Sequence, residues 1–193
     1  YIRNFIMSKL ETNTIDTVSG TTNLTIGSSN SSTVTFENGA VTGQNYPAFY
    51  AFLSANQTGV ADDANIKVQV NSEVYDTDNC YDNSTNYRFT PNKAGKYFVF
   101  GSLRADAGGD NLQAIAIQFK KNGSDTDRIN QYHHFSTNRP DNFTINAQGF
   151  FDMNGTSDYL EMYIFNDVNA GTTNIVGNST QKITAFGAYR IGA

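Results

Sequence analysis

The sequence predicts an all-β chain, a β-sandwich or jelly roll of many short antiparallel strands behind an extended N-terminal β arm. Three observations predict it. Short runs of alternating apolar and polar residues recur along the chain, and turn signals separate them. No window shows a convincing helical period. The composition agrees: 14 Phe, 11 Tyr and 16 Gly but only 3 Pro among 193 residues suit strands joined by tight turns.

Residues 1–45 read as a polar arm for assembly or docking. Asn23-Leu24-Thr25-Ile26-Gly27 and Thr33-Val34-Thr35-Phe36-Glu37-Asn38-Gly39 are two thin period-two runs around Ser28-Ser29-Asn30-Ser31-Ser32. Two such strands bury too little to hold a fold alone, so the arm is either disordered or ordered by assembly. The opening Tyr1-Ile2-Arg3-Asn4-Phe5-Ile6 is too short for a secretory signal. Met7 reads equally as a native initiator or an internal methionine.

Residues 46–193 read as the head domain. Pro47 to Ser54 opens it, and Ile66-Lys67-Val68-Gln69-Val70 alternates strictly. Tyr97-Phe98-Val99-Phe100 is apolar on both faces. Ala114 to Phe119 leads into Lys120-Lys121-Asn122-Gly123, a hairpin signal because Asn-Gly accepts left-handed backbone. Phe143 to Phe151, Tyr159 to Phe165 and Thr184 to Ile191 complete the series.

Three strands carry apolar groups on both faces, whereas a sandwich strand normally keeps one face wet. Tyr97 and Val99 oppose Phe98 and Phe100; Leu160, Met162 and Ile164 oppose Tyr163 and Phe165; Phe186 and Ala188 oppose Tyr189 and Ile191. A Phe or Leu gains ~1.5–3 kcal/mol on burial, so the second face calls for a subunit interface. Cover from a loop or from the arm is the alternative. The expected interface residues are Tyr50, Tyr97, Tyr163, Phe165 and Tyr189. The expected core residues are Phe89, Phe98, Phe100 and Phe186.

The same residues carry a family resemblance. Val70, Asp76, Tyr81, Phe89, Gly95, Tyr97 and Val99 follow the central motif of the complement q-subcomponent globular head, within the tumour-necrosis-factor-like jelly-roll superfamily. Pro47 to Ala51, Gly155 to Ile164 and Ala185 to Tyr189 resemble three further strands in the family's order. Val70 and Val99 stand at usual Phe positions, and one extra residue separates Tyr81 from Phe89. The resemblance implies a jelly roll of about ten strands, a homotrimer, and binding of macromolecules without chemistry. The arm lacks the Gly-x-y repeat of the animal stalks. It resembles in style the tail-fibre and capsid-decoration proteins of bacteriophages, as does Val74 to Asn83.

No catalytic constellation emerges, and no enzyme is expected. His133 and His134 are adjacent, so in a strand they face opposite ways. Cys80, the single cysteine, allows no intrachain disulfide and reads as a buried or inert thiol. Asp76, Asp78 and Asp82 form the best calcium candidate, although turns favour Asp anyway; no cofactor is expected. The net charge of −5 is spread without blocks and no apolar run approaches a membrane span, so neither nucleic acid nor membrane is an expected partner. The expectation is a virion protein that trimerises, docks on other virion proteins through 1–45 and presents its head to a host-surface receptor or glycan, with loops 104–112 and 124–142 as contact surface. The alternative is a secreted cellular adhesin or lectin-like module.

Overall fold

The computed structural model describes residues 47–109 and 112–192. The arm expected over 1–45, with Met7, lies outside the described residues.

The strands are β1 (Ala48–Phe52), β2 (Gln57–Val60), β3 (Ala64–Lys67), β4 (Ser72–Asp76), β5 (Tyr81–Asp82), β6 (Arg88–Phe89), β7 (Gly95–Asp106), β8 (Leu112–Lys121), β9 (Arg128–His134), β10 (Asn142–Met153), β11 (Leu160–Val168), β12 (Thr173–Ile175) and β13 (Ala185–Gly192). They form a jelly-roll sandwich of two antiparallel sheets. The seven-stranded sheet runs β2-β12-β7-β13-β1-β4, with β10 on the other edge of β7. The six-stranded sheet runs β5-β6-β11-β8-β9, with β3 also on β11. The ladder segments outnumber the ten strands expected because β2, β5, β6 and β12 are two to four residues long, too short for alternation to register.

Side chains from both sheets meet in an aromatic core. Phe49 stacks on Tyr81 at 4.4 Å and on Phe89 at 4.6 Å between ring centroids, and meets Phe186 edge-on at 4.9 Å. Phe186 in turn stacks on Phe119 at 5.4 Å. Phe89 and Phe186 are fully buried, as expected. The Tyr81 hydroxyl donates to the Val70 carbonyl at 2.9 Å, which satisfies the one polar atom this ring carries inside.

Strand β7 corrects two expectations. Tyr97, expected at an interface, is fully buried in the core, while Phe98 and Phe100, expected in the core, lie half-buried on the outer face. The whole strand explains the parity. Its odd positions, Tyr97, Val99, Gly101, Leu103 and Ala105, are all apolar or small, whereas its even positions include Lys96, Ser102, Arg104 and Asp106. A four-residue window cannot see this.

The turn after β8 is also longer than a two-residue hairpin. Asn122 and Gly123 do take left-handed backbone, at φ 53° and 70°, but β9 begins only at Arg128. Part of 124–142, expected as loop, is therefore strand.

Candidate functional site

With the core filled, the aromatic residues left over mark the surfaces with work to do. They fall on the two outer faces of the sandwich. The five expected interface residues do not form one patch: Tyr50 and Tyr189 lie outside the seven-stranded sheet, Tyr163 and Phe165 outside the six-stranded sheet, and Tyr97 in the core.

On the seven-stranded sheet the register stacks outward residues into cross-strand rows. One row is Ala48, Tyr189, Phe98 and Phe150. The next is Tyr75, Tyr50, Gly187, Phe100 and Gln148. A third is Phe52, Ala185, Ser102 and Asn146. The first two rows make a continuous ladder of rings. Tyr75 to Tyr50 is 6.4 Å, Tyr50 to Phe100 6.0 Å, Phe100 to Phe98 6.0 Å, and Phe98 reaches both Phe150 and Tyr189 at 5.4 Å. Gly187 makes the ladder possible: a Cβ there would stand 2.5 Å from the Phe100 ring. Phe150 is 64% exposed, Ile191 50% and Tyr189 43%. No described side chain covers them.

The six-stranded sheet treats its outer aromatics differently. The Tyr163 hydroxyl donates to Glu161 Oε2 at 3.0 Å, and Lys67 Nζ sits 2.5 Å from Glu161 Oε1. Lys120 Nζ lies 4.5 Å from the centroid of the Tyr163 ring and 2.5 Å from Asp125 Oδ1, which Arg128 also reaches at 3.1 Å. Burial, the Glu161 charge and its hydrogen bond together push the Tyr163 phenol well above the ordinary range. Lys120 and Glu161 are themselves 4% and 3% exposed, more buried than the half-exposed Tyr163 ring they touch. Among the described residues Phe165 has Tyr132 as its ring neighbour, at 6.3 Å.

The remaining candidates are occupied locally. Asp82 accepts from the N–H groups of Thr85 at 2.8 Å, Ser84 at 3.1 Å and Asn86 at 3.1 Å; these bonds, the Thr85 one foremost, hold its carboxyl well below the usual range. Asp76 Oδ2 accepts from Tyr81 N–H at 2.8 Å, while its buried Oδ1 has no hydrogen-bond partner. Asp76, Asp78 and Asp82 do not converge, and among the described residues no three His, Cys, Asp or Glu side chains group to hold a metal. Burial pushes the Cys80 thiol up, away from the reactive thiolate. His133 packs on Phe135 at 4.4 Å and on Phe143 at 5.0 Å, and the neighbouring His134 is exposed.

No family model and no curated protein matches the sequence. Solved structures do. The globular domain of the zebrafish complement 1qA protein aligns with a TM-score of 0.51 at 11% identity, over 75% of this chain and 97% of that one. Murine APRIL aligns at 0.50 and 10% identity, over 76% and 100%. Vertex protein P5 of PRD1 aligns at 0.52 and 15%, over 78% and 100%. The chain shares their fold, in agreement with the jelly-roll resemblance carried by its central motif.

Proposed function

We propose that the chain is a non-enzymatic structural head that forms a homotrimer through the outer face of the seven-stranded sheet. The observation that carries this reading is the ladder of six rings from Tyr75 to Phe150, of which Tyr75, Tyr189 and Phe150 are exposed and Tyr50, Phe98 and Phe100 half-buried. Each large apolar side chain moved out of water gains ~1.5–3 kcal/mol, so a ladder of this size favours association. Rotational symmetry closes such an assembly without leaving a free sticky face. The interface residues in this reading are Tyr50, Phe98, Phe100, Phe150 and Tyr189; Tyr163 and Phe165 are not needed.

The setting we propose is a virion, with residues 1–45 docked on other virion proteins and the head turned to solvent. The fold likeness to a phage vertex protein and the Thr/Ser/Asn-rich composition of 1–45 support it. The likeness to a complement globular domain favours a second reading, a secreted recognition module. Mass spectrometry of purified particles separates the two: the chain recovered in stoichiometric amount supports the virion role, and its absence from particles rejects it.

A further inference from the structure

Asn-Gly occurs twice among the described residues, at Asn122-Gly123 and Asn154-Gly155. Backbone geometry demands both glycines. Gly123 and Gly155 take left-handed backbone at φ 70° and 73°, where a side chain is strained. A Cβ on Gly155 would also stand 2.1 Å from the Ala94 nitrogen. The two turns therefore fix the dipeptide most open to self-attack, because no side chain on Gly shields its amide nitrogen from the preceding Asn.

In that reaction the Gly nitrogen bonds to Asn Cγ and gives up its proton. The Cγ–Nδ2 bond breaks and Nδ2 leaves as ammonia. Water then opens the succinimide to aspartate or isoaspartate, and isoaspartate adds an atom to the main chain of a tight turn.

Both turns meet on one side chain. Asp158 Oδ1 accepts from Asn122 Nδ2 at 2.8 Å, and its Oδ2 accepts from the Asn154 N–H at 2.9 Å. Asp158 is buried, and Lys121 Nζ lies 3.1 Å from its Oδ2. The other end of the Asn122 carboxamide is held as well, since Oδ1 accepts from the Tyr159 N–H at 2.9 Å. Closing the succinimide expels Nδ2, so the bond to the Asp158 carboxylate must be given up on the way. Bonds to a charged group are the stronger kind. Asn154 is held differently: its Oδ1 accepts from the N–H groups of Thr156, Ser157 and Asp158 at 2.9, 2.9 and 3.0 Å, all within its own turn.

We infer that Asp158 is a positioning residue that protects the Asn122-Gly123 turn from deamidation. The inference goes beyond assembly and does not depend on it.

The full-length parent and Asp158→Ala are incubated at mildly alkaline pH, with the parent unfolded in guanidinium chloride as the unprotected reference. Peptide fragmentation in mass spectrometry locates each converted residue. Asn122 in the folded parent converts slower than in the unfolded chain by about tenfold or more. Asp158→Ala raises the Asn122 rate by about tenfold or more, as expected for losing a hydrogen bond to a charged group. Asn154 stays within about threefold of its parent rate. Melting temperature and amide exchange in β8 and β11 show that the variant is folded; should it not fold, Asp158→Asn, which keeps the shape and loses the charge, is read the same way. The inference is overturned if folded and unfolded parent convert Asn122 equally fast, or if the folded variant keeps the parent rate. It is equally overturned if the variant accelerates Asn122 and Asn154 alike, which marks a general loosening of the two turns.

Discussion

The two outer faces of the sandwich both carry aromatic residues and set them in different surroundings. On the six-stranded sheet, Tyr163 packs against the buried Lys120 ammonium and beside Glu161, which pairs with Lys67. On the seven-stranded sheet, Phe98 meets the rings of Phe100, Phe150 and Tyr189, and Phe150 stands open. Both faces keep exposed rings, Tyr132 at 48% on the first and Phe150 at 64% on the second, but on the second they join a continuous ladder of six. An apolar count along a strand therefore does not locate an interface; what matters is whether the rings meet polar partners from flanking strands or only one another.

The largest expected effect tests that contrast at its sharpest point. Phe98→Asp places a charge at the centre of the ring ladder, and association should fall by more than about 100-fold, seen as loss of the trimer in sedimentation. Phe165→Asp, on the other face, should leave the trimer intact. If both variants dissociate, or neither does, the contrast between the faces fails.

Removing the buried charge comes next. Glu161→Ala leaves Lys67 and the Tyr163 hydroxyl without their shared partner and should cost about 1–3 kcal/mol in a denaturant titration, with assembly mass unchanged. Tyr163→Phe removes one hydrogen bond and should cost roughly 1 kcal/mol or less.

The smallest effect is on pH dependence. Hydrogen bonds from Thr85, Ser84 and Asn86 lower the Asp82 carboxyl. Burial alone would raise Asp158, but Asn122, the Asn154 N–H and Lys121 outweigh it and lower that carboxyl too. Groups with depressed folded-state values stabilise above the unfolded carboxylate range, near pH 3.9 for Asp, and lose that contribution as pH falls through the folded values. Thermal stability should therefore stay level from neutral pH to about 5 as far as these groups decide it, and fall below about 4. A decline already complete by pH 5 would contradict the assignment.

Much of this was legible in the sequence. Strand alternation and turn residues indicated the all-β class, and the motif from Phe89 to Tyr97 pointed to the jelly roll. The two-faced strands flagged the surplus of apolar surface. Which face held the surplus was not legible from four residues: Tyr97 to Phe100 is apolar at every position, and only the polar partners at Lys96, Ser102 and Arg104 settle which way Phe98 points. Tyr163 misled for a different reason. Its polar surroundings come from Lys120, Glu161 and, through Glu161, Lys67, on three strands that pairing alone brings together.

The central claim is that copies of this chain cover the ring ladder of the seven-stranded sheet. Sedimentation equilibrium of the full-length protein at micromolar concentration tests it most directly. The account predicts three times the chain mass of 21.2 kDa, falling to that mass in Phe98→Asp. A folded parent protein sedimenting at 21.2 kDa would contradict it.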